Sequence, residues 1–329
     1  MSNANKTIFS DDMRCECMAK DVRLHAMLIS DTHQDVLHPD PTIPQTFLRD
    51  AITDGEEAKT PVDAVVIAGD LTSDGDDDNW ELFRACWRGR KPAKKVFMAI
   101  GNHDTRSRSG EKILARARYR SARRDIAGTE SEKDYFSDVI NGYHLIALAG
   151  NDKEHLPGEG VRLSQEQIDW FEKELKGGAE SGKPVFVVCH ECINGTHGLP
   201  ATWEDVLTPE GHPYKGGLGD QSDLIRDMMT AYKNVFYITG HVHMGWAGEK
   251  AKAEHGFSSV EKIGPLNLIN LPSLSCGNFH GEGSIIDIGA MMEVYDERVL
   301  IRPRDFKTHR YYSGFDMQEG KPYFEIPLV

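Results

Sequence analysis

Five short apolar runs, each followed directly by polar residues, constrain the fold of this chain more than any other feature of its sequence. They cover residues 23–30, 62–68, 95–100, 184–189 and 234–239. Apolar runs of this length are typical of buried strands. A sixth run, at residues 143–149, has no polar group at its end. The sequence therefore predicts six buried strands, and no linker long enough to separate two domains interrupts them.

Amphipathic stretches lie between these runs. Apolar residues recur at helical spacing in residues 79–88 and 164–175, and Ser164 with Gln167 three residues later is a helix-start pattern. Strands that alternate with helices predict an α/β layered fold. Near the end of the chain, residues 291–295 and 299–306 flank a short polar turn, which predicts a hairpin in a more β-rich region.

The polar residues at the five strand ends are of the types that bind metal ions. In open α/β sheets, sites form just beyond the carboxyl ends of the strands. The spacing Asp31-x-His33 recurs in the last pair of histidines, and on extended backbone such pairs point to one side. Gly69 allows the tight turn that a bridging carboxylate at Asp70 needs. Imidazole, carboxylate and amide oxygen together favour zinc, iron or manganese. The candidates are Asp31, His33, Asp70, Asn102, His190, His241 and His243.

Taken in order, the strand-end motifs resemble those of the calcineurin-like metallophosphoesterase superfamily. They read Asp31-x-His33, Gly69-Asp70, Gly101-Asn102-His103-Asp104, His190 and Gly240-His241-Val242-His243. The resemblance implies an α/β fold, a four-layer α/β/β/α sandwich with two central mixed β-sheets flanked by helices. It also implies two divalent or trivalent metal ions (Mn, Fe or Zn). Asp31, His33 and His243 would hold the first ion, Asn102, His190 and His241 the second, and Asp70 would bridge both.

The same resemblance implies a metal-dependent phosphoesterase. Two cations ~3.5–4 Å apart can clamp a phosphoryl group and lower the pKa of a shared water, which then supplies the hydroxide nucleophile. His103 is implied to face the phosphate, where it stabilises transition-state charge or protonates the leaving oxygen. That role requires an imidazolium, so we expect a carboxylate nearby, at Asp104 or Asp74.

Departures from the family pattern narrow the choice of branch within the superfamily. Ser73 and Asp74 stand where protein serine/threonine phosphatases carry Asp and Arg, and Ser73 also replaces the iron-binding Tyr of purple acid phosphatases. Glu191 and Cys192 replace the His and Pro that often follow the second-metal histidine. The remaining resemblance is to the bacterial branch with cyclic nucleotide and glycerophosphodiester phosphodiesterases, which favours a small anionic phosphodiester substrate. The alternatives are a phosphomonoesterase, a nuclease, and a non-catalytic scaffold, which usually lacks ligands that this chain retains.

Two further segments bear on the substrate. Residues 105–124 hold eight cations and one acid. The cations at 112, 116, 120 and 123 predict one basic helical face, opposite apolar residues at 113, 114 and 117. This face either steers anions to the metals or is paired with acids such as those at 74–78. The Gly- and Pro-rich segment 193–220 predicts a functional loop, with His197 and His212 as candidate substrate contacts.

Composition disfavours several classes of protein. The net charge of −14 argues against nucleic-acid binding as the main role, because phosphate neutralisation needs clustered cations. No apolar run approaches the ~20 residues that span a bilayer. The first 20 residues lack the pattern of a secretory signal. We therefore expect no membrane partner and a cytoplasmic location; the oligomeric state stays open.

The six cysteines are too sparse for a disulfide scaffold, which agrees with a reducing setting. We interpret Cys15 and Cys17 as exposed thiols in a tail, and Cys189 and Cys192 as structural thiols and not zinc ligands. The expected organisation is a flexible tail over residues 1–21, the metallophosphoesterase domain over 22–306, and a C-terminal extension over 307–329 that packs on the domain.

Overall fold

The computed structural model describes residues 8–9, 15–150, 161–199, 216–246, 256–276, 287–313 and 321–329. Within these residues the chain forms two β-sheets and five α-helices. The helices are α1 (Thr42–Glu56), α2 (Asp77–Trp87), α3 (Lys112–Ala127), α4 (Gln165–Glu180) and α5 (Ser222–Thr230).

Eight strands form the first sheet and six form the second. The first sheet contains β1 (Ile8–Phe9), β2 (Leu24–Ile29), β3 (Ala64–Ala68), β4 (Lys95–Ala99), β11 (Ile288–Val294), β12 (Arg298–Asp305), β13 (Arg310–Ser313) and β14 (Phe324–Pro327). The second contains β5 (Phe136–Ile140), β6 (Tyr143–Ala147), β7 (Val185–Val188), β8 (Val235–Thr239), β9 (Val260–Ile263) and β10 (Leu266–Asn270). The strand orders are β1-β13-β12-β11-β2-β3-β4, with β14 beside β12, and β5-β6-β7-β8-β10-β9.

Both sheets are mixed, as expected. Strands β2, β3 and β4 are parallel neighbours, and so are β6, β7, β8 and β10, while the other pairs are antiparallel. All six predicted apolar runs form strands, and the predicted hairpin is the antiparallel pair β11–β12. The predicted start of α4 is also confirmed, since the Ser164 hydroxyl accepts a hydrogen bond from the Gln167 amide at 3.2 Å.

Successive side chains along a strand point to opposite faces of its sheet, and this alternation gives each sheet two buried faces. On β2, Leu24, Ala26 and Leu28 point into a core shared by the two sheets, whereas Met27 and Ile29 point into a core shared with helices. Helices α1, α2 and α3 cover the outer face of the first sheet, and α4 and α5 cover that of the second. The predicted four-layer α/β/β/α sandwich is therefore confirmed.

The chain termini contribute strands to the first sheet where the structure describes them, because β1 pairs with β13 and β14 pairs with β12. The exposed position expected for Cys15 is wrong. Its side chain is 1% exposed, and its Sγ lies 3.9 Å from Nε2 of His25 on β2. Cys17 is half-buried. The exact boundaries of tail, domain and extension remain a prediction. None of the helices in the described ranges has the length and apolar character needed to cross a membrane.

Candidate metal centre

The seven candidate ligands come together at one edge of the two sheets. Asp31 and His33 follow β2, Asp70 follows β3 and Asn102 follows β4, so four of them stand at the ends of neighbouring parallel strands. The others follow the parallel strands β7 and β8 of the second sheet: His190, His241 and His243. The fold thus collects side chains from positions far apart in the chain.

Asp31, His33 and His243 form one tight group. Nε2 of His243 lies 3.0 Å from Oδ1 of Asp31, and Nε2 of His33 lies 3.6 Å from the same oxygen. The two imidazole nitrogens are 3.2 Å apart. Three ligand atoms therefore face a common point.

Asn102, His190 and His241 form the neighbouring group. Nδ1 of His241 lies 3.1 Å from Oδ1 of Asn102, and the ring centroids of His190 and His241 are 5.1 Å apart. Asp70 lies between the two groups, because its Oδ2 is 3.0 Å from Nε2 of His190 and 3.8 Å from Nε2 of His33. This is the place that a bridging carboxylate would occupy.

Five of these residues adopt backbone that L-residues rarely use. The φ angles of Asp31, His33, Asp70, His241 and His243 are 54°, 37°, 50°, 74° and 56°. The expectation that each spaced pair lies on extended backbone is therefore wrong, since left-handed turns direct these side chains inward. Such conformations cost of order 1–3 kcal/mol each and cluster at functional sites, where the surrounding structure maintains them.

Glycines let the ligand loops approach one another. A Cβ on Gly101 would lie 2.2 Å from Oδ1 of Asp70, and a Cβ on Gly240 would lie 2.4 Å from Oδ2 of Asp31. At Gly69, whose φ is 89°, a Cβ would lie 2.6 Å from Nδ1 of His190. The tight turn and close approach expected at Gly69 are therefore present, and two further glycines serve the same purpose.

The surroundings of His190 show that a cation fits. Its Nδ1 lies 2.7 Å from the Ala68 carbonyl oxygen, so we assign the proton to this nitrogen, which donates it. Nε2 then faces the Asp70 carboxylate at 3.0 Å, and this buried atom has no hydrogen-bond partner of good geometry in the described part of the chain. Although burial lowers the pKa of His190, Asp70 and Asp31 raise it well above its usual value. The position thus attracts positive charge strongly, and its donors suit zinc, iron or manganese.

The carboxylates of the centre are held in the charged state. Burial alone would raise the pKa of Asp31, but His243 and His190 hold it well below its usual range. His190 and neighbouring histidines likewise lower the pKa of Asp70 against its burial. Burial lowers the pKa of His241 to about 3, which keeps that imidazole neutral. Ionised carboxylates and neutral imidazole are the forms that bind metal.

Comparison with known proteins identifies the family. Residues 24–245 match the model of the calcineurin-like phosphoesterases. The chain belongs to this family. The predicted resemblance is therefore confirmed. A protein of Rhodococcus erythropolis named "Probable cyclic nucleotide phosphodiesterase" is 29% identical over 159 residues, which cover 47% of this chain and 48% of that relative. The match thus spans about half the length of the relative.

Two solved structures share the fold. A dimetal phosphatase from Danio rerio superposes with a TM-score of 0.63 and 14% identity, covering 94% of this chain and 100% of the other. Purple acid phosphatase PPD1 from yellow lupin seeds superposes with a TM-score of 0.59 and 13% identity. The superposition covers 92% of this chain and 53% of the other. Identities this low bear on the fold alone.

His103 opens a short 3₁₀ helix (His103–Thr105) beside the candidate metal ligands. Its Nδ1 lies 2.8 Å from the Ser73 carbonyl oxygen, and its Nε2 is 4.0 Å from Oδ2 of Asp70. The Arg106 guanidinium lies 2.8 Å from Nε2. Burial lowers the pKa of His103 to about 4, and Arg106 adds to this effect. The arrangement therefore favours a neutral imidazole and not the expected imidazolium.

The prediction that Asp104 or Asp74 is the carboxylate partner of His103 is wrong. Asp104 is fully buried and points away, with its oxygens accepting hydrogen bonds from the amides of Leu71, Thr72 and Gly101 at 3.3, 2.9 and 2.8 Å. It therefore ties the loop after β3 to the loop after β4, and so supports Asp70 and Asn102 from behind. Burial, with Asp70 nearby, raises the pKa of Asp104 to about 7.

Asp74 pairs with an arginine of the basic segment instead, because one of its oxygens lies 3.2 Å from Nε of Arg108. Arg118 likewise pairs with Asp77 at 2.8 Å. The interpretation that acids at 74–78 neutralise cations of residues 105–124 is thus confirmed for these two arginines.

The predicted orientation of the basic face is wrong. Arg116 is only 8% exposed and Arg123 is fully buried, whereas Ile113 on the opposite face is 77% exposed. Arg116 and Arg120 both bind Asp134, at 2.5 and 2.6 Å. The face opposite the apolar residues therefore anchors α3 to the loop before β5, and it is not the free basic surface that the sequence predicts.

Two cations of this segment differ from the rest. Arg106, Lys112 and Arg123 have no carboxylate partner in the described ranges, but of these three only Arg106 and Lys112 line a small pocket beside Asn102. Arg116, the third cation that lines this pocket, is paired with Asp134.

Residues of the 193–220 loop are described at its two ends only. His197 is 2% exposed, and its backbone amide donates to Oε2 of Glu261 at 2.6 Å. Burial lowers the pKa of His197 to about 3. This position gives no support to a substrate contact, and His212 lies outside the described residues.

Three cysteines lie near the ligand loops. Cys189 and Cys192 are buried, and no candidate metal cluster in the described ranges includes them, in agreement with structural thiols. Cys276 was missed by sequence reasoning. It lies close to His33 and His243, although it follows no strand and no sequence pattern points to it.

Proposed function

We propose that this phosphoesterase hydrolyses small anionic phosphodiesters at a dinuclear metal centre. The observation that carries the proposal is the convergence of seven ligand-type side chains, with Asp70 between the other two groups of three. In this proposal Asp31, His33 and His243 hold one ion; Asn102, His190 and His241 hold the other; and Asp70 contacts both. Bound there, two cations would polarise the phosphoryl group and lower the pKa of a water molecule for in-line attack.

The protein's own residues orient the substrate. Asp104 fixes the two loops that carry Asp70 and Asn102, so the ligands are held in place before substrate binds. Arg106 and Lys112, at the pocket beside Asn102, attract the anionic ester and contact its non-bridging oxygens.

In this proposal His103 acts as the acid that protonates the leaving group. Ser73 holds its Nδ1, which directs Nε2 toward the space beside Asp70. In the proposed mechanism the bound ester draws Arg106 away from Nε2, this nitrogen then takes up a proton from solvent, and the imidazolium passes that proton to the leaving oxygen. Replacement of His103 by Ala then slows esters with poor leaving groups more than those with good ones. Equal losses for both would exclude the proton transfer.

The diester preference is supported by the Rhodococcus erythropolis relative, which is named "Probable cyclic nucleotide phosphodiesterase". The alternatives of a phosphomonoesterase or a nuclease keep the same centre. A nuclease is less consistent with the structure, because most arginines of the basic segment are engaged with acids or backbone carbonyls. The retention of every ligand disfavours a non-catalytic scaffold.

A substrate panel tests the proposal. Purified protein loaded with Mn²⁺, Zn²⁺ or Fe²⁺ is assayed with bis-p-nitrophenyl phosphate, p-nitrophenyl phosphate, cyclic nucleotides and short single-stranded DNA. We expect kcat/KM for the diesters to exceed that for the monoester at least tenfold. A monoester preference would overturn the diester assignment, and absence of metal-dependent turnover on every ester would overturn the proposed function.

A pair of matched variants distinguishes the loss of the metal centre from the loss of the fold. Asp70→Asn removes the bridging charge at constant shape, whereas Asp169→Asn changes an exposed aspartate on α4. Only the first substitution should abolish turnover, with both proteins showing the same far-UV circular dichroism.

A further inference from the structure

Cys276 lies beside the first ligand group. Its Sγ and one ring nitrogen each of His33 and His243 lie within 4.8 Å of one another. The side chain of His33 is only 6% exposed, and the nitrogens of the two imidazoles face each other at 3.2 Å. Among the cysteines in the described ranges, this one alone shares a candidate metal cluster with histidines.

Hydrogen bonds fix this cysteine to a ligand loop. The Cys276 amide donates to Oγ of Ser273 at 2.9 Å, and that hydroxyl donates to the Asp31 carbonyl oxygen at 3.0 Å. The Ser275 hydroxyl donates to the same carbonyl oxygen at 3.2 Å. The loop that carries Cys276 is therefore tied to the backbone of Asp31, so the thiol and the Asp31 carboxylate are positioned together.

We propose that Cys276 is an additional ligand, as a thiolate, of the cation that Asp31, His33 and His243 bind. The inference rests on the proposed function, because it requires a metal at that group. On binding, a bond from Sγ to the metal replaces the S–H bond, and the proton goes to solvent.

A thiolate changes which metal the position prefers. Soft sulfur ligands favour zinc and ferrous iron, whereas manganese prefers carboxylate, carbonyl and water oxygens. The first position is therefore selective for zinc or iron, while the Asn102, His190 and His241 group has no sulfur ligand. The two positions then take different cations from a mixture.

Spectroscopy of the cobalt-loaded protein tests the ligand directly. Metal-free protein is titrated with Co²⁺, and we expect a sulfur-to-cobalt charge-transfer band in the near ultraviolet that saturates at one equivalent. Cys276→Ser should lose this band. Cys17→Ser, which removes a half-buried thiol outside the cluster, should keep it. A spectrum without the band, or a band that survives in Cys276→Ser, overturns the proposal.

Metal affinity gives a second readout that does not depend on turnover. We expect Cys276→Ser to weaken Zn²⁺ binding about tenfold or more, with a smaller change for Mn²⁺. Equal changes for both metals would contradict thiolate ligation. The result also separates this inference from the proposed function: uptake of two metals without a thiolate band removes only the role of Cys276, whereas no metal uptake at all removes both.

Discussion

Asp287 offers a stability test whose size follows from its surroundings. The side chain is 1% exposed, and neither carboxylate oxygen has a hydrogen-bond donor in the described residues. Its charged neighbours are Asp50 on α1, Asp305 on β12 and the cation Lys307. Burial, reinforced by the two acids and opposed by Lys307, raises the pKa of Asp287 from 3.8 to about 9.

The direction of the pH effect follows from this shift. The folded protein keeps the Asp287 proton between pH 4 and 9, while the unfolded chain loses it near pH 4. The contribution of Asp287 to stability is therefore fully present below pH 4 and is lost as the pH rises toward 9. The loss is about 1.4 kcal/mol per pH unit, so it reaches an upper bound of about 4 kcal/mol between pH 4 and 7.

Asp287→Asn removes this ionisation at nearly constant shape. Asn also tolerates the left-handed backbone of this position, where φ is 66°. We expect the variant to match the wild type near pH 4 and to be more stable by about 2–4 kcal/mol at pH 7. Urea unfolding followed by tryptophan fluorescence at several pH values measures the difference.

The control is Asp169→Asn, which changes the net charge equally from an exposed site on α4. Its free energy of unfolding should stay within about 0.5 kcal/mol of the wild type across this range. If the Asp287→Asn and wild-type curves ran parallel from pH 4 to 8, the assignment of a neutral buried Asp287 would be wrong.

Two further pairs of variants test the centre and its surroundings. Gly101→Ala should displace Asp70, because the added Cβ lies 2.2 Å from Oδ1, and so lower the amount of bound metal measured by elemental analysis. The control Gly177→Ala has open space around it on α4. It should keep the metal and stabilise the helix by about 0.5–1 kcal/mol. Full metal content in Gly101→Ala would refute the steric argument. Arg106→Ala should raise KM for diesters severalfold and weaken its salt dependence, whereas Arg118→Ala, which loses a pair with Asp77, should leave KM unchanged. Equal effects of the two arginines would show that the charge of the whole segment matters, and not the position of Arg106.

Much of the fold could be predicted because its signals are local. Each buried strand is a contiguous apolar run, and the ligands come directly after those runs, as at Asp31 and Asp70. Parallel strands with adjacent carboxyl ends then make convergence a consequence of the layered fold. The motifs also specify the order of the ligands, so the same residues appear at the centre.

The remaining features depend on contacts between distant segments. The partner of Arg116 and Arg120 is Asp134, and no periodicity within α3 indicates that acid. Similarly, Cys276 reaches His33 only because its loop bonds to the carbonyl oxygen of Asp31. Spacing along the chain does not contain this information.

Backbone conformation was the other source of error. The two-residue spacing at Asp31 and His33 indicates a shared direction only if the backbone is extended, but φ is positive at both residues. Likewise, the nearest carboxylate in sequence to His103 is Asp104, yet that side chain turns inward to bind backbone amides. In both cases proximity in the sequence does not predict the direction in which the side chain points.

Anomalous diffraction from a crystal of the metal-loaded protein tests the central claim most directly. The account predicts two peaks ~3.5–4 Å apart, with Asp70 in contact with both. One peak should lie among Asp31, His33 and His243, and the other among the remaining three ligands. A single peak, or peaks away from Asp70, would contradict the dinuclear centre.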